Sequence, residues 1–197
     1  MNIAEKSLQL KQDIDDVYEA GRLSVWEGIQ NGGRAANYYY AFAYNRFDDN
    51  NYNPPYVIKS TDTTTGSQAI FYANELITDT KVEIIAAKNA NNCFYNMSNC
   101  HTIRKFTVNE NTSFTNTFTG VTNLVNLEMS GTIGKSFDIH WSTKLSRASI
   151  ESIVNALSAS SSGLTLTLSE TAVNNAFSED EWNALVASKQ NWTISLV

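Results

Sequence analysis

Ile103-Arg-Lys-Phe106-Thr-Val108, followed by Leu124-Val-Asn-Leu127-Glu-Met129, carries the same apolar triad at the same internal offsets, 21 residues apart. The last three positions of each hexapeptide alternate apolar, polar, apolar, the period of a strand with one buried face. A unit of this length supplies one short strand and cannot bury its apolar side alone, so it must lie against a neighbour of its own kind. The spacing predicts stacked strands in which Phe106 and Leu127 occupy equivalent rungs.

Reading outward, three units emerge. Phe71, Leu76, Val82 and Ile84 form a first, degenerate one. Phe94, Met97, Cys100, Ile103, Phe106 and Val108 form the second, and Phe114, Phe118, Val121, Leu124, Leu127 and Met129 the third. An L-x-x-L-x-L core at this period is the signature of a leucine-rich repeat. Asn111 falls three after Val108, where such repeats place an asparagine that satisfies loop backbone groups; the next unit has Thr132 there.

The pattern then changes. Ser149, or equally Ser146, caps a helix running to Leu157, with Ile150, Ile153 and Val154 at helical spacing. Leu164, Leu166 and Leu168 alternate with Thr165 and Thr167 as a strand. Ser169 opens a short helix with Val173 and Phe177 inward. Ser178-Glu-Asp-Glu181 is a capping box before Trp182, Leu185 and Val186, and Trp192 to Leu196 is a last strand. The fold class expected is an α/β-type short leucine-rich repeat solenoid with C-terminal helix-plus-strand repeats, preceded by an N-terminal α-helix.

Residues 1–30 read as that helix, an oligomerisation or docking element. Ile3, Leu10, Ile14 and Val17 fall on one seam, but Ser7, Gly21 and Ser24 hold the continuing positions. The stripe either packs on the chain's own body or forms a small parallel bundle of two or three strands. The scarcity of apolar residues favours the bundle, making the chain a homo-oligomer, dimer or trimer, that docks onto other proteins of a particle. Gly32-Gly33 ends the helix. Residues 31–59 are an aromatic-rich connecting and N-capping segment, with Tyr38, Tyr39, Tyr40, Phe42, Tyr44, Phe47, Tyr52 and Tyr56 closed by Pro54-Pro55. Rings interleaved with asparagine can stack on bases or sugars. Across the aromatic stretch from Tyr38 to Tyr56 and the residues just before it, the only cations are Arg34 and Arg46, and capping the first repeat is the better reading. Residues 60–197 are the repeat domain.

The stretch Cys93-Phe-x-Asn96-x-x-Asn-Cys100-x-x-Ile-x-x-Phe-x-Val resembles the BspA-like leucine-rich repeat family. Leu145-Ser-Arg-Ala-Ser-Ile-Glu-Ser-Ile-Val-Asn-Ala-Leu157, Glu181-Trp-x-Ala-Leu and Asn191-Trp-Thr-Ile-Ser-Leu-Val197 are similar to the closing segments of its members encoded by phages and prophages of Firmicutes. Ile3-Ala-Glu-Lys and Val17-Tyr-Glu-Ala-Gly21 are similar to their openings. The resemblance implies a virion structural protein, tail-associated or another peripheral fibre or adhesin, that binds protein or glycan and carries no catalytic residues. A bacterial surface adhesin and a glycan-cleaving tail enzyme are the other readings; the latter needs two acids across a groove.

Composition narrows partners. A net charge of −6 opposes binding to nucleic acid or an anionic membrane surface. The opening alternates apolar and charged residues, unlike a secretory signal, and no apolar run spans a bilayer, so the chain is expected to leave a cell inside an assembly or not at all. Cys93 and Cys100 match neither a redox nor a zinc motif and read as buried small residues; His101 and His140 read as turn histidines. Gly131-x-x-Gly134-Lys135-Ser136 lacks the spacing of a phosphate loop, and Asp15-Asp16 and Asp48-Asp49 read as solvated pairs. Asn96, Asn111 and Asn191 head glycosylation sequons, meaningful only in a eukaryotic secretory route. No catalytic, metal or cofactor site is expected. The candidate binding face is the outward row: Lys105 and Thr107, then Asn126 and Glu128, continued by Thr165, Thr167, Thr193 and Ser195. Bound to a glycan or protein, or merely solvated, this row is polar.

Overall fold

The computed structural model describes residues 42–45, 47–52, 57–60, 69–86 and 88–197, all within one unit, Ala35–Val197. The expected helix with its seam Ile3, Leu10, Ile14 and Val17 lies outside them, as do Tyr38 to Tyr40 and Pro54 to Tyr56.

The described residues form a mixed α/β structure with two small parallel sheets and three α-helices. Strands β1 (Val57–Ser60), β2 (Glu83–Ala86), β3 (Thr102–Val108) and β4 (Asn126–Gly131) pair in chain order. Strands β5 (Phe137–Asp138), β6 (Leu164–Leu168) and β7 (Trp192–Leu196) pair likewise in a second sheet. Ile58, Ile84, Phe106 and Met129 are register partners in succession, and all four are buried.

The period differs from the expected 21. Phe106 pairs with Met129, and it is Ile103 that pairs with Leu127, so Phe106 and Leu127 are not equivalent rungs. Phe106 lies three positions after Ile103, whereas Met129 lies two after Leu127. Strand β3 therefore carries one extra residue, a bulge over Arg104 and Lys105. Partners stand 22 apart between β2 and β3, and 24 then 23 apart between β3 and β4.

Register is held equally by the turns. Phe71 donates its N–H to the Cys93 carbonyl (2.8 Å), and Phe94 donates to Thr117 (3.1 Å). Flanking bonds run from Ala69 to Asn91, Ala73 to Tyr95, Asn92 to Thr115 and Asn96 to Thr119. Each turn holds two left-handed residues four apart: Ala69 and Ala73, Asn92 and Asn96, Asn116 and Gly120. Asparagine and glycine enter that region at little cost, which is why the polar stretches of the repeats are asparagine-rich.

Phe71, Phe94 and Phe118 stack through these turns, with centroids 5.9 Å and 5.2 Å apart. Phe42 lies on Phe71 at 5.3 Å, and Tyr52 meets both edge-on and donates its hydroxyl to the Thr80 carbonyl (2.7 Å). The ring stack thus begins within the aromatic segment 31–59. Leu76, assigned inward from sequence, is 46% exposed. Asn74 Oδ1 accepts from the N–H groups of both Leu76 and Ile77, a turn that sends Ile77 into the core instead. Asn111 is likewise exposed and not the loop-satisfying residue. Buried Asn74, Thr112 and Thr117 do that work, the last two donating to the carbonyls of Ala86 and Ala90.

Helix α1 (Arg147–Ala156) is capped by Ser146 and buries Ile150, Ile153 and Val154. It also occupies the place of a fifth strand on β4. Ser149 Oγ accepts from the Leu127 N–H (2.8 Å) and donates to the Val125 carbonyl (3.0 Å). Ser152 Oγ accepts from Met129 (3.1 Å) and lies 3.0 Å from the Leu127 carbonyl. Two serines one turn apart satisfy an edge that would otherwise be open to pairing. Ser149→Ala is expected to cost about 2 kcal/mol and Ser152→Ala, at a half-buried position, about 1 kcal/mol. Urea melts check the cost; hydrogen exchange faster at the Leu127 and Met129 amides than elsewhere in the sheet checks the cause.

Helix α2 (Glu170–Ala176) is capped by Ser169, and α3 (Glu179–Val186) by the expected capping box of Ser178 and Glu181. Val173 and Phe177 are buried. Trp182, Leu185 and Val186 are only half-buried, so the apolar side of α3 is partly covered. Arg147 ties the helices together: it pairs with Glu151 (2.9 Å) and Glu181 (2.7 Å), and its guanidinium lies 4.6 Å from the Phe177 ring centroid.

Candidate functional site

The outward positions of the sheets divide into two surfaces, because β4 ends against α1 and does not pair with β5. Thr165, Thr167, Thr193 and Ser195 therefore do not continue the row of Lys105, Thr107, Asn126 and Glu128; they belong to the second sheet. Within the first sheet the bulge also shifts the rows. Asn126 stands beside Thr102, its amide 3.4 Å from the Thr102 hydroxyl, while Glu128 faces the bulged Arg104 and Lys105.

Polar groups on the first surface largely pair with each other. Arg104 grips Asp79 through Nε (3.0 Å) and a terminal nitrogen (2.5 Å). Glu83 receives the Thr107 hydroxyl (2.5 Å) and sits 3.4 Å from the Lys105 ammonium. Asp79 and Glu83 were not singled out in the sequence; the signal was their place one repeat before Thr102 and Lys105. Between this face and the start of α1 lies a cleft of about 430 Å³, lined by Thr102, Arg104, Asn126, Glu128 and Ser152 among others. A second, wider hollow of about 1030 Å³ is lined by Lys88, Asn109, Glu110, Thr132 and Lys135 among others. Each is lined by a single carboxylate, Glu128 in the first and Glu110 in the second.

The second surface is different in kind. Asp138 pairs in register with Thr167, and Thr167 with Ser195; Thr165 pairs with Thr193. The hydroxyls of these four residues make no hydrogen bond to another described residue. At the end of β5, Asp138 Oδ1 lies 2.7 Å from His140 Nδ1, which places both side chains on one face with buried Ile139 between them in sequence. Trp141 follows, 44% exposed, its ring 5.0 Å from that of His140. Sequence reasoning took His140 only as a turn histidine and did not connect it with Asp138 and Trp141, although Asp138-Ile-His140 has the alternation of a strand with polar residues on one side.

The remaining chemistry-bearing residues have structural employment. Burial pushes the Cys93 thiol up and the Cys100 thiol to about 12, so both stay protonated and unreactive near neutral pH. His101 is exposed, and its backbone bridges Thr78 to Val125 and Asn126. Gly131, at φ +83°, and Gly134 abut the backbone of Val108 and Glu110, where a Cβ would collide; Ser136 accepts from the Thr165 N–H. Asp48 and Asp49 are not merely solvated. Asp48 accepts from the N–H groups of Asn50 and Asn51, which hold its pKa below the usual carboxylate range, and Asp49 accepts from the N–H and hydroxyl of Thr78. Among the described residues, no three metal-capable side chains come together and no helix is long and apolar enough to cross a membrane.

No protein-family model, curated protein or solved structure matches the chain.

Proposed function

We propose that this chain is a phage structural protein, a tail-associated or other peripheral fibre or adhesin, built on a BspA-like leucine-rich repeat domain that binds protein or glycan. The observation that carries the reading is the rung-by-rung pairing of units 22 to 24 residues apart, which places alternate strand residues, and both bulged residues Arg104 and Lys105, on an outer wall. That arrangement offers a broad polar surface and disperses reactive groups instead of converging them. Hydrolysis of a glycan by paired carboxylates needs two acids flanking one bond, and the two clefts described above are each lined by one. Binding without turnover is what such a wall does best.

In this reading the seam of Ile3, Leu10, Ile14 and Val17 joins copies into a dimer or trimer and docks them onto neighbouring virion proteins, leaving the repeat domain outward. No nucleic acid or lipid bilayer is engaged. Mass spectrometry of purified particles induced from the organism that encodes the chain is expected to recover its peptides, and light scattering of the full chain to give two or three copies. Particles lacking the chain would refute the assignment.

A further inference from the structure

We propose that Trp141, His140 and Asp138, with the hydroxyl rows of Thr167 and Ser195 and of Thr165 and Thr193, form a binding site for a neutral saccharide. The inference rests on the binding role proposed above and names the ligand's chemistry.

Four observations converge. Trp141 is a large aromatic that stays 44% exposed in the folded chain. Its turn is fixed from below: buried Ser142 donates its hydroxyl to the Val121 carbonyl (2.8 Å) and its N–H to Ile139 (3.0 Å). The ring is thus presented on a rigid support, as a recognition residue must be. Second, Trp141 Nε1 and His140 Nε2 make no hydrogen bond to a described residue, although Nδ1 of that histidine is engaged by Asp138. One free nitrogen at the ring edge and one fixed carboxylate beside it supply a donor or acceptor and a strong acceptor. Third, the adjacent strands offer four hydroxyls without a partner among the described residues, each able both to donate and to accept. Fourth, those rows hold no charged side chain; the one carboxylate is matched by a histidine. A row of Ser and Thr gives a protein partner few anchors, since hot spots are enriched in Trp, Tyr and Arg and poor in Ser and Thr. It also gives an anionic ligand no cation. A sugar ring fits: its C–H face lies on an indole, and its hydroxyls exchange hydrogen bonds with hydroxyls and a carboxylate.

The first sheet sharpens the contrast. There Asp79, Glu83, Arg104, Lys105 and Thr107 spend their hydrogen bonds on each other. In the second sheet the hydroxyls of Thr165, Thr167, Thr193 and Ser195 have no partner among the described residues, and the carboxylate that does, Asp138, is held by the histidine next to the exposed indole.

The test titrates the full chain with cellohexaose, maltohexaose, laminarihexaose, mannohexaose and chitohexaose by saturation-transfer NMR and calorimetry, with a heparin hexasaccharide as the anionic control. At least one neutral hexasaccharide is expected to bind at millimolar concentration or better, and the control not to bind. Trp141→Ala should weaken that affinity by about tenfold and Trp141→Phe by less, with Thr167→Val weakening it about threefold. Trp141 lies outside the core, so the circular dichroism of its variants should match that of the parent. Absence of binding by every neutral member, or equal affinity in Trp141→Ala, overturns the site. Either result leaves the particle mass spectrometry untouched, so the failure of this inference is separable from failure of the proposed function.

Discussion

Phe94→Ala is expected to destabilise the chain by about 3–5 kcal/mol. Phe94 is fully buried and touches rings on three sides: Phe71 at 5.9 Å, Phe118 at 5.2 Å and Phe106 edge-on at 5.2 Å. Its backbone is pinned as well, by the bond to Thr117 and by an i to i+3 bond from Met97. Turns so tied cannot collapse into the void, and a cavity that stays open costs more than one that closes. Against a total stability of about 5–15 kcal/mol, such a loss removes a large part of what folds the chain. In a chain of this size it lowers the melting temperature on the order of 10 °C. Tyr95→Ala is the control. Tyr95 is half-buried and stacks on Tyr72 at 4.8 Å on the outer side of the same turn. Its removal is expected to cost no more than about 1.5 kcal/mol. Equilibrium urea denaturation of both variants decides the matter: equal losses would mean that the stacked phenylalanines are not the centre of the core.

Much of this architecture is legible in the sequence, and the errors have physical causes. Strand content at Phe106, Val108, Leu127 and Met129 follows from alternation, and the caps Ser169 and Ser178 from side-chain chemistry that acts within three residues, whereas the sequence leaves Ser149 and Ser146 equal and the backbone selects Ser146. Register is another kind of quantity. Matching Ile103 to Leu124 looks right because both are followed by apolar residues at the third and fifth positions. The matching that the backbone selects aligns Cys100 with Leu124 and Phe94 with Phe118 through the turns, and it needs a bulge that no local pattern announces. Leu76 fails for the same reason, since the hydrogen bonds that the Leu76 and Ile77 N–H groups donate to Asn74 Oδ1, not hydrophobicity, decide which of two neighbouring apolar residues turns inward. The split of the outer row into two surfaces was beyond reach too. A helix whose serines imitate a strand edge reads in sequence as a helix only. Of the outer positions named, Lys105 and Thr107 are tied to Glu83, while the hydroxyls of the four Ser and Thr of the second sheet have no partner among the described residues.

Asn74→Asp is expected to cost about 3 kcal/mol or more at pH 7, although it changes one nitrogen to oxygen. Asn74 is fully buried, and its amide serves four backbone groups. Nδ2 donates to the carbonyls of Phe42 (2.7 Å) and Phe47 (3.2 Å), and Oδ1 accepts from the N–H groups of Leu76 (3.0 Å) and Ile77 (3.2 Å). A carboxylate keeps the two acceptor bonds but turns an oxygen, charged and desolvated, against two carbonyl oxygens. Both the burial and those carbonyls raise the pKa of the new carboxyl above the roughly 3.9 it has when unfolded. The sign follows by linkage. The folded state holds the proton more tightly, so the penalty is fully present above the raised folded pKa. It shrinks as the pH falls from that value toward about 4, and is smallest below the unfolded pKa. Relief stays partial, because a protonated carboxyl donates one hydrogen bond where the amide donated two. Urea melts of Asn74→Asp and the parent between about pH 4 and pH 7 should show the difference between them narrowing toward acid, a subtraction that cancels the chain's other carboxylates. A gap that is constant or widens would mean that the side chain at this position does not hold the first turn through its donor bonds, and that Phe42 and Phe47 are tied down in another way.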